Sequence, residues 1–427
     1  ISPRDLDGPV GALSSELSDF RRLTELPSSY DQLFTPELSA PTGSPLPDSS
    51  PAAVTFRSAI KFIVEMLQYR YVSIYNYLNT YNRDSGPKID LMLPAMVDYD
   101  WWLSKGAPTK SSLPDQAALM KEIAILTGGR VHALVPFDPF RQVVSDMNRD
   151  AGFSPIDLVE TAVTKYGAIG VKLYSPMGFA PYGNQAVGEA NPDFWKRGWL
   201  ADIAESPDFG EKLDNAMAKL FTFCGENGVP IMGHSNQSNG PADDFEALTG
   251  PDYWETAANE FPDALLSFGH FGGAGSQTAD GSSPIEGFLG LLADDQTAGK
   301  HRLAADASYF SNVIDDPDRL RNVMKRIFEY GADDPPAVTR LMYGADWKML
   351  VAEKGSEHYL ADFARVIGDL EASMSIPALS DNFLGANAAT FLGLKQNQAT
   401  RMRLEKFYDN ADFREAPTWM GKVDALG

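Results

Sequence analysis

The sequence predicts an α/β protein built on a parallel sheet, and three observations carry that expectation. Short apolar runs that end in polar or charged residues recur from Ile89 onward. Segments with apolar residues at helical spacing separate those runs. No motif of short period repeats, which sets a solenoid aside. Buried strands alternating with amphipathic helices are the pattern of βαβ units.

Taken in order, residues 1–86 stand apart as an N-terminal helical and loop extension or insertion. Within them SAPTGSPLPDSSP, from Ser39 to Pro51, reads as an exposed loop. The stretch FRSAIKFIVEMLQYRYVSIYNYLN follows and is apolar at helical spacing, so one or two helices packed on a larger body are expected. Its tyrosines, Tyr69 to Tyr81, mark it as a core face or a homodimer interface. Residues 87–395 hold the alternating runs: DLMLPAMVDYD, RVHALVPFDP, IGVKLYSP, VPIMGHSN, ALLSFGHFGG, HRLAADASYF and RLMYGADWKM. Helical segments such as DQAALMKEIAILTGG, SPIDLVETAVTKYG and EKLDNAMAKLFTFCGENG lie between them. Residues 396–427 form a tail expected to pack on this body.

Seven runs leave the topology open. A closed (β/α)8 barrel needs eight strands, whereas an open doubly wound sheet accepts seven. No GxGxxG follows a strand and no GxxxxGK[ST] occurs, so a nucleotide-phosphate loop is not expected. The glycine cluster HFGGAG, beginning at His270, has the wrong spacing for one.

Composition narrows the function classes. The 427 residues are 44% hydrophobic and 22% charged, ample for a large core. A formal net charge of −22 argues against nucleic acid and against an anionic membrane surface. No apolar run reaches the length of a membrane span, and the first residues, ISPRDLDGPV, carry no signal-peptide core. A single cysteine, Cys224, rules out an internal disulfide framework and fits a reducing, cytoplasmic setting. A small-molecule substrate is the expected partner.

Where strands alternate with helices, the C-terminal strand ends converge on one face, and that face holds the chemistry. Reading off the run ends gives Asp98, Asp100, Asp138, Lys172, His234, His270, Asp306 and Asp346. Imidazole plus carboxylate is a ligand set for one divalent metal, zinc above all, with manganese or iron as alternatives. Such a metal supplies hydroxide at neutral pH by acidifying its bound water. His234, Asp346 and, with less support, Asp98 and Asp100 are the candidate metal ligands. Asp98 and Asp100 point the same way in an extended chain and could equally cap a helix or make a polar contact. Asp138 precedes Pro139 and is expected to cap a helix. Lys172 reads as a carboxylate clamp, a carbamylated metal bridge or one half of an ion pair. Asp306 reads as a residue that orients a ligand. His132 lies early in its run, and His301 and His358 lie outside the run ends, so none of the three is given a role.

With these residues on the page, the chain resembles the amidohydrolase-related family of the metal-dependent hydrolase superfamily, in the branch that includes aminocarboxymuconate semialdehyde decarboxylase. The likeness covers residues 89–395. It rests on the order and spacing of LVPFDPFR, IGVKLYSPMGFAPYGN, VPIMGHSN, LLSFGHFGG, LAADASYF, MYGADW and GANAATFLGL. The resemblance implies a distorted TIM barrel. It also implies His234 and Asp346 as metal ligands, Asp346 as proton acceptor from the metal-bound water, His270 as acid/base, and Lys172 as the family's lysine on the fourth strand. One departure stands out: the family's first strand ends in His-x-His, and no His-x-His occurs in this chain. The seven runs then correspond to strands two to eight, with the first strand missing or altered, and ISPRDLDGP resembles the phrase that follows the His-x-His strand.

Three functions follow. The first is a metal-dependent hydrolase of a small amide, ester or lactone, in which Asp346 accepts the proton of the metal-bound water and His270 assists. The alternative is nonoxidative decarboxylation of an unsaturated or aromatic carboxylic acid, with Lys172 or an arginine holding a carboxylate. The third is a metal-free barrel that binds a partner or serves as a scaffold.

Overall fold

A computed structural model describes residues 65, 68–82, 86–100, 111–196, 200–236, 238, 241–273, 284–331 and 333–426. The chain divides into two units, Ile1–Arg57 and Ser58–Gly427. The first lies outside the described residues, and with it the Ser39–Pro51 loop and the ISPRDLDGP phrase. Helix α1 is Arg70–Asn82 and α2 is Leu113–Leu126. Tyr77 and Tyr81 of α1 are buried edge-on against Trp347 of the same chain, while Tyr69 is exposed.

A six-stranded parallel sheet follows, its strands in chain order. They are β1 (Leu134–Pro136), β2 (Gly170–Leu173), β3 (Pro230–His234), β4 (Leu265–Gly269), β5 (Leu303–Asp306) and β6 (Leu341–Met342). A parallel sheet is covered on both faces, so its strands read as near-continuous apolar runs rather than alternating ones. Parallel neighbours also need a crossover, and helices supply it. Helices α3 (Pro139–Asp146) and α4 (Pro155–Lys165) join β1 to β2, and α5 (Phe209–Asn227) leads into β3. Helices α6 (Pro251–Glu260), α7 (Pro284–Thr297) and α8 (Pro317–Glu329) precede β4, β5 and β6 in turn. Helices α2, α3, α4 and α8 start with a proline in the first turn behind a side-chain cap: Ser112, Asp138, Ser154 and Asp316. The cap oxygen satisfies an orphan N–H, and the proline ring occupies the place where a missing N–H costs nothing.

The first of the seven runs, DLMLPAMVDYD, is not a full strand. It touches the sheet through two parallel bridges, Met92 to Val131 and Ala95 to Leu134. Pro94 between them has no N–H to donate, which breaks the ladder. Among the described residues no strand lies between this segment and β6. The β6 edge is covered instead by a helical stretch, a π-turn over Asn382–Ala386 that runs into an α-helix over Asn387–Phe391: Asn387 Nδ2 donates to the Leu341 carbonyl at 2.9 Å, and the Tyr343 N–H donates to the Phe383 carbonyl at 3.0 Å. Covering an edge in this way removes a template for unwanted pairing.

Helix α9 is Trp347–Leu350, and α10 is Tyr359–Met374. Two C-terminal helices, α11 (Ala399–Asn410) and α12 (Thr418–Asp424), close the end of the sheet where the strands begin. Leu134, Ile169, Ala304 and Met342 share one apolar cluster there with Leu404, Phe407, Tyr408 and Trp419. His132 pins this layer. Its Nδ1 lies 2.7 Å from the Gly167 carbonyl, which can only accept, so Nε2 accepts from the Tyr408 hydroxyl, also at 2.7 Å.

Complete burial pulls the His132 imidazole down to about 4. Its folded value lies below its unfolded one, so between about 6.5 and 4 the unfolded chain binds the extra proton. Stability from this group is therefore present at neutral pH and lost as pH falls through that window. Between pH 7 and pH 5 the wild type is expected to lose about 2 kcal/mol more than a His132→Gln variant. Urea denaturation at the two values checks it; equal losses would refute the assignment.

Candidate active site

Side chains on a strand alternate between faces, and that period of two builds the site. Lys172 pairs with Met232 and Met232 with Ser267, while His234 pairs with Gly269 one layer further along. Asp306 pairs with Met342 at the same end of the sheet. Lys172, Tyr174, Met232, His234, Ser267, Asp306 and Met342 accordingly line one cavity of about 1340 Å³. The alternate residues Val171, Leu173, Ile231, Leu266 and Phe268 belong to the apolar core. His270 and Asp346, just beyond β4 and β6, line the same cavity. The structure thus brings together Lys172, His234, His270, Asp306 and Asp346 at one mouth.

Glycine makes two of these approaches possible. A Cβ on Gly233 would fall 1.8 Å from the Trp254 ring, so only glycine lets α6 lie against β3 there. A Cβ on Gly269 would stand 2.9 Å from the Gly233 carbonyl oxygen and 3.5 Å from both Lys172 Nζ and Asp306 Oδ2. That amine and that carboxylate thus stand together beside Gly269.

The lysine amine bonds to no described residue and is only 6% exposed. Burial lowers its proton affinity, and the charges of Asp306 and Asp346 oppose that in part. Asp306 is held rigidly: its Oδ1 accepts from the backbone N–H groups of His270 (3.2 Å) and Ser308 (3.0 Å) and from the Ser308 hydroxyl. Its Oδ2 is buried without a partner.

The two imidazoles sit with ring centroids 4.4 Å apart. His270 Nδ1 lies 3.0 Å from the Ser308 carbonyl. A carbonyl only accepts, so Nδ1 carries a hydrogen there and Nε2 is the ring nitrogen left to act. His234 Nε2 is buried and unpartnered. Burial, then the neighbouring His270 and Lys172, push the His234 imidazole well below its ordinary value, so it stays neutral. The edge of the Tyr174 ring meets His234 at 4.8 Å between centroids, and Tyr99 meets Tyr174 at 5.9 Å.

Non-glycine residues with positive φ gather at this mouth: His270 (67°), Phe271 (41°), Tyr309 (47°) and Asp346 (50°). Each such residue costs of order 1 kcal/mol or more and persists only where its surroundings force it, a pattern associated with functional sites.

Asp98 and Asp100 stand near this mouth but are held by an arginine. Arg141 Nε and Nη2 donate to Asp98 at 2.6 and 3.0 Å, and Nη2 also donates to Asp100 at 2.8 Å. The same guanidinium donates to the Ala151 carbonyl and stacks over Phe153. Both carboxylates are thus spent on a buried arginine, which corrects their reading as metal ligands. Asp138 caps α3 through the Phe140 N–H at 2.9 Å, and burial beside Asp98 pushes its carboxyl well up. The alternation that turns Asp98 and Asp100 toward Arg141 turns Tyr99 toward Tyr174. Tyr99 was legible from that argument, and Tyr174 from its place two residues after Lys172. Ser308 and Arg141 had no comparable signal.

A metal site can be tested against these donors. The free Nε2 of His234 is the kind of atom a metal takes, but a catalytic zinc needs three protein ligands. Among the described residues no three His, Cys, Asp or Glu side chains stand close enough together to hold a metal ion. The described donors do not fit a metal, and no step below runs through one.

Removing one member of a buried ion pair strands the other charges, typically at about 3–5 kcal/mol. Arg141→Met is expected to lose about that much stability, because two carboxylates lose their partner at once. Chemical denaturation reads it, and a loss under about 1 kcal/mol, the size of a surface pair, would contradict the network.

No family model matches the chain, and no curated protein matches it. Among solved structures, the crystal structure of 5-carboxyvanillate decarboxylase LigW from Sphingomonas paucimobilis aligns at 14% identity and a TM-score of 0.36. The alignment covers 65% of this chain and 70% of that one. At that level of likeness the functional reading rests on the chain's own side chains.

Proposed function

We propose that the protein is a nonoxidative decarboxylase of a small unsaturated or aromatic carboxylic acid, with its site at the C-terminal end of a sheet that forms the wall of a distorted (β/α)8 barrel. The observation that carries this reading is Lys172: a buried amine, bonded to nothing described, between two carboxylates and beside two imidazoles.

Decarboxylation asks for little machinery. The carboxylate leaves as neutral carbon dioxide, the bonding electron pair stays on the substrate, and a proton replaces the lost group. A positive or hydrogen-bond-donating group must meet the charge as it spreads through the unsaturated system. Lys172 occupies that place. Fixed by the Ser308 carbonyl, His270 presents Nε2 to the cavity, where it can shuttle a proton to carbon. Tyr174 and Tyr99 meet edge to face, 73° between planes, and supply an aromatic corner against which a planar substrate can lie. An acidic group such as Asp346 beside the departing carboxylate favours its conversion to an uncharged product, since like charges repel.

Metal-assisted hydrolysis is the second reading, supported by the unpartnered Nε2 of His234. It needs further ligands that the described residues do not bring to that nitrogen.

Carbon dioxide release from a panel of unsaturated and aromatic acids tests the proposal. A turnover that drops about 10²–10⁴-fold in His270→Asn, with the melting temperature kept, is the expected result. Hydrolysis of amides or lactones without carbon dioxide release from any acid would overturn it in favour of the second reading.

A further inference from the structure

We infer that Lys172 is a covalent catalyst: its Nζ forms an imine with a ketone group, and the substrate class is the 3-oxo carboxylic acids. The inference rests on the decarboxylase reading of the same site but replaces its unsaturated or aromatic acids with 3-oxo acids, and the positive group that meets the developing charge becomes the iminium formed at Lys172 Nζ.

Three features of the mouth separate a nucleophilic amine from a carboxylate clamp. A clamping lysine is a charged donor fitted among acceptors. Lys172 bonds to no described acceptor, although two carboxylates influence it from a distance. It stands on the rigid frame of β2, between β1 and β3, so its position is fixed by ladder pairing and not by an ion pair. The second feature is room. Lys172 lines a cavity of about 1340 Å³, and its Nζ stands with Asp306 Oδ2 beside Gly269. A carbonyl carbon attacked by Nζ needs such a space. The third feature is a proton carrier at the same spot. Asp306 has one oxygen tied down by three donors and the other free and buried. A carboxyl fixed in this way can give a proton to the departing hydroxyl and take it back from the incoming water. Burial also favours the uncharged amine, the nucleophilic form.

The chemistry balances without a further reagent. The neutral amine adds to the ketone carbon, and water leaves as the protonated imine forms. The bond between the 2-carbon and the carboxylate breaks, carbon dioxide departs, and the electron pair moves through the new double bond onto nitrogen, giving an enamine. A proton delivered to the 2-carbon, from the imidazole side of the mouth, restores the imine. Water then releases the ketone and the free amine. One proton is consumed and one carbon dioxide is produced.

Sodium borohydride reduces an imine to a stable secondary amine, so the intact wild-type protein can be tested directly. It would be incubated with acetoacetate or benzoylacetate and borohydride, digested, and mapped by mass spectrometry, with carbon dioxide measured in parallel. The expected result is a mass gain concentrated on the peptide that holds Lys172, dependent on the oxo acid and absent from Lys172→Arg. Carbon dioxide release with no adduct on that peptide would overturn the imine and leave the decarboxylase reading standing. An adduct without carbon dioxide release would keep the imine and remove decarboxylation. No adduct with either probe overturns the inference outright.

Discussion

An amine buried among apolar strands is the constraint around which the mouth is organised. Desolvating an ammonium is costly unless it is paired, and in practice such a group gives up its proton more readily. Lys172 is inside because β2 is a central strand whose alternate positions must face the cavity. Its surroundings do not neutralise it with a contact ion pair. They offer two carboxylates at a distance, two imidazoles and an open cavity. A fold under selection for stability alone would place an apolar residue there. The unpaired amine, the free oxygen of Asp306 and the free nitrogen of His234 are three costs at one spot, alongside a strained backbone at His270 and Asp346. Clustering of that kind is what function explains and packing does not.

The rest of the molecule holds that spot open and in place. Parallel pairing from β1 to β6 fixes the five strands that present side chains to the mouth. The C-terminal helices seal the opposite end, with His132 as their anchor. Arg141 gathers Asp98 and Asp100 next to the mouth, and Asp138 beside them starts α3. The cavity is larger than the usual ligand pocket of about 300–1,000 Å³. The bridged Met92–Ala95 segment and Met342 of β6 both line it.

Much of this was legible in the sequence, for physical reasons. Parallel strands must be buried on both faces and must end in polar residues at the mouth, so VPIMGHSN and LLSFGHFGG announce both the strand and its functional tip. Ser and Asp before proline announce helix starts, as Ser154 and Asp316 show. The limits are equally physical. Pro94 interrupts a run that otherwise reads as a strand. Asp98 and Asp100 carry the right chemistry for a metal, but an arginine more than forty positions away claims them, and no local pattern reveals a contact at that separation. Gly269 reads as an ordinary strand glycine until the neighbours of its absent side chain are known.

The account turns on the state of one amine. The rate at which a small acylating reagent modifies Lys172, followed by peptide mass spectrometry across a pH series, measures it against the exposed lysines of the same protein. The account predicts that Lys172 becomes reactive at lower pH than those surface lysines, because burial favours its neutral form. If Lys172 titrates together with the surface lysines, it is an ordinary solvated cation, and the imine chemistry proposed at this mouth is wrong.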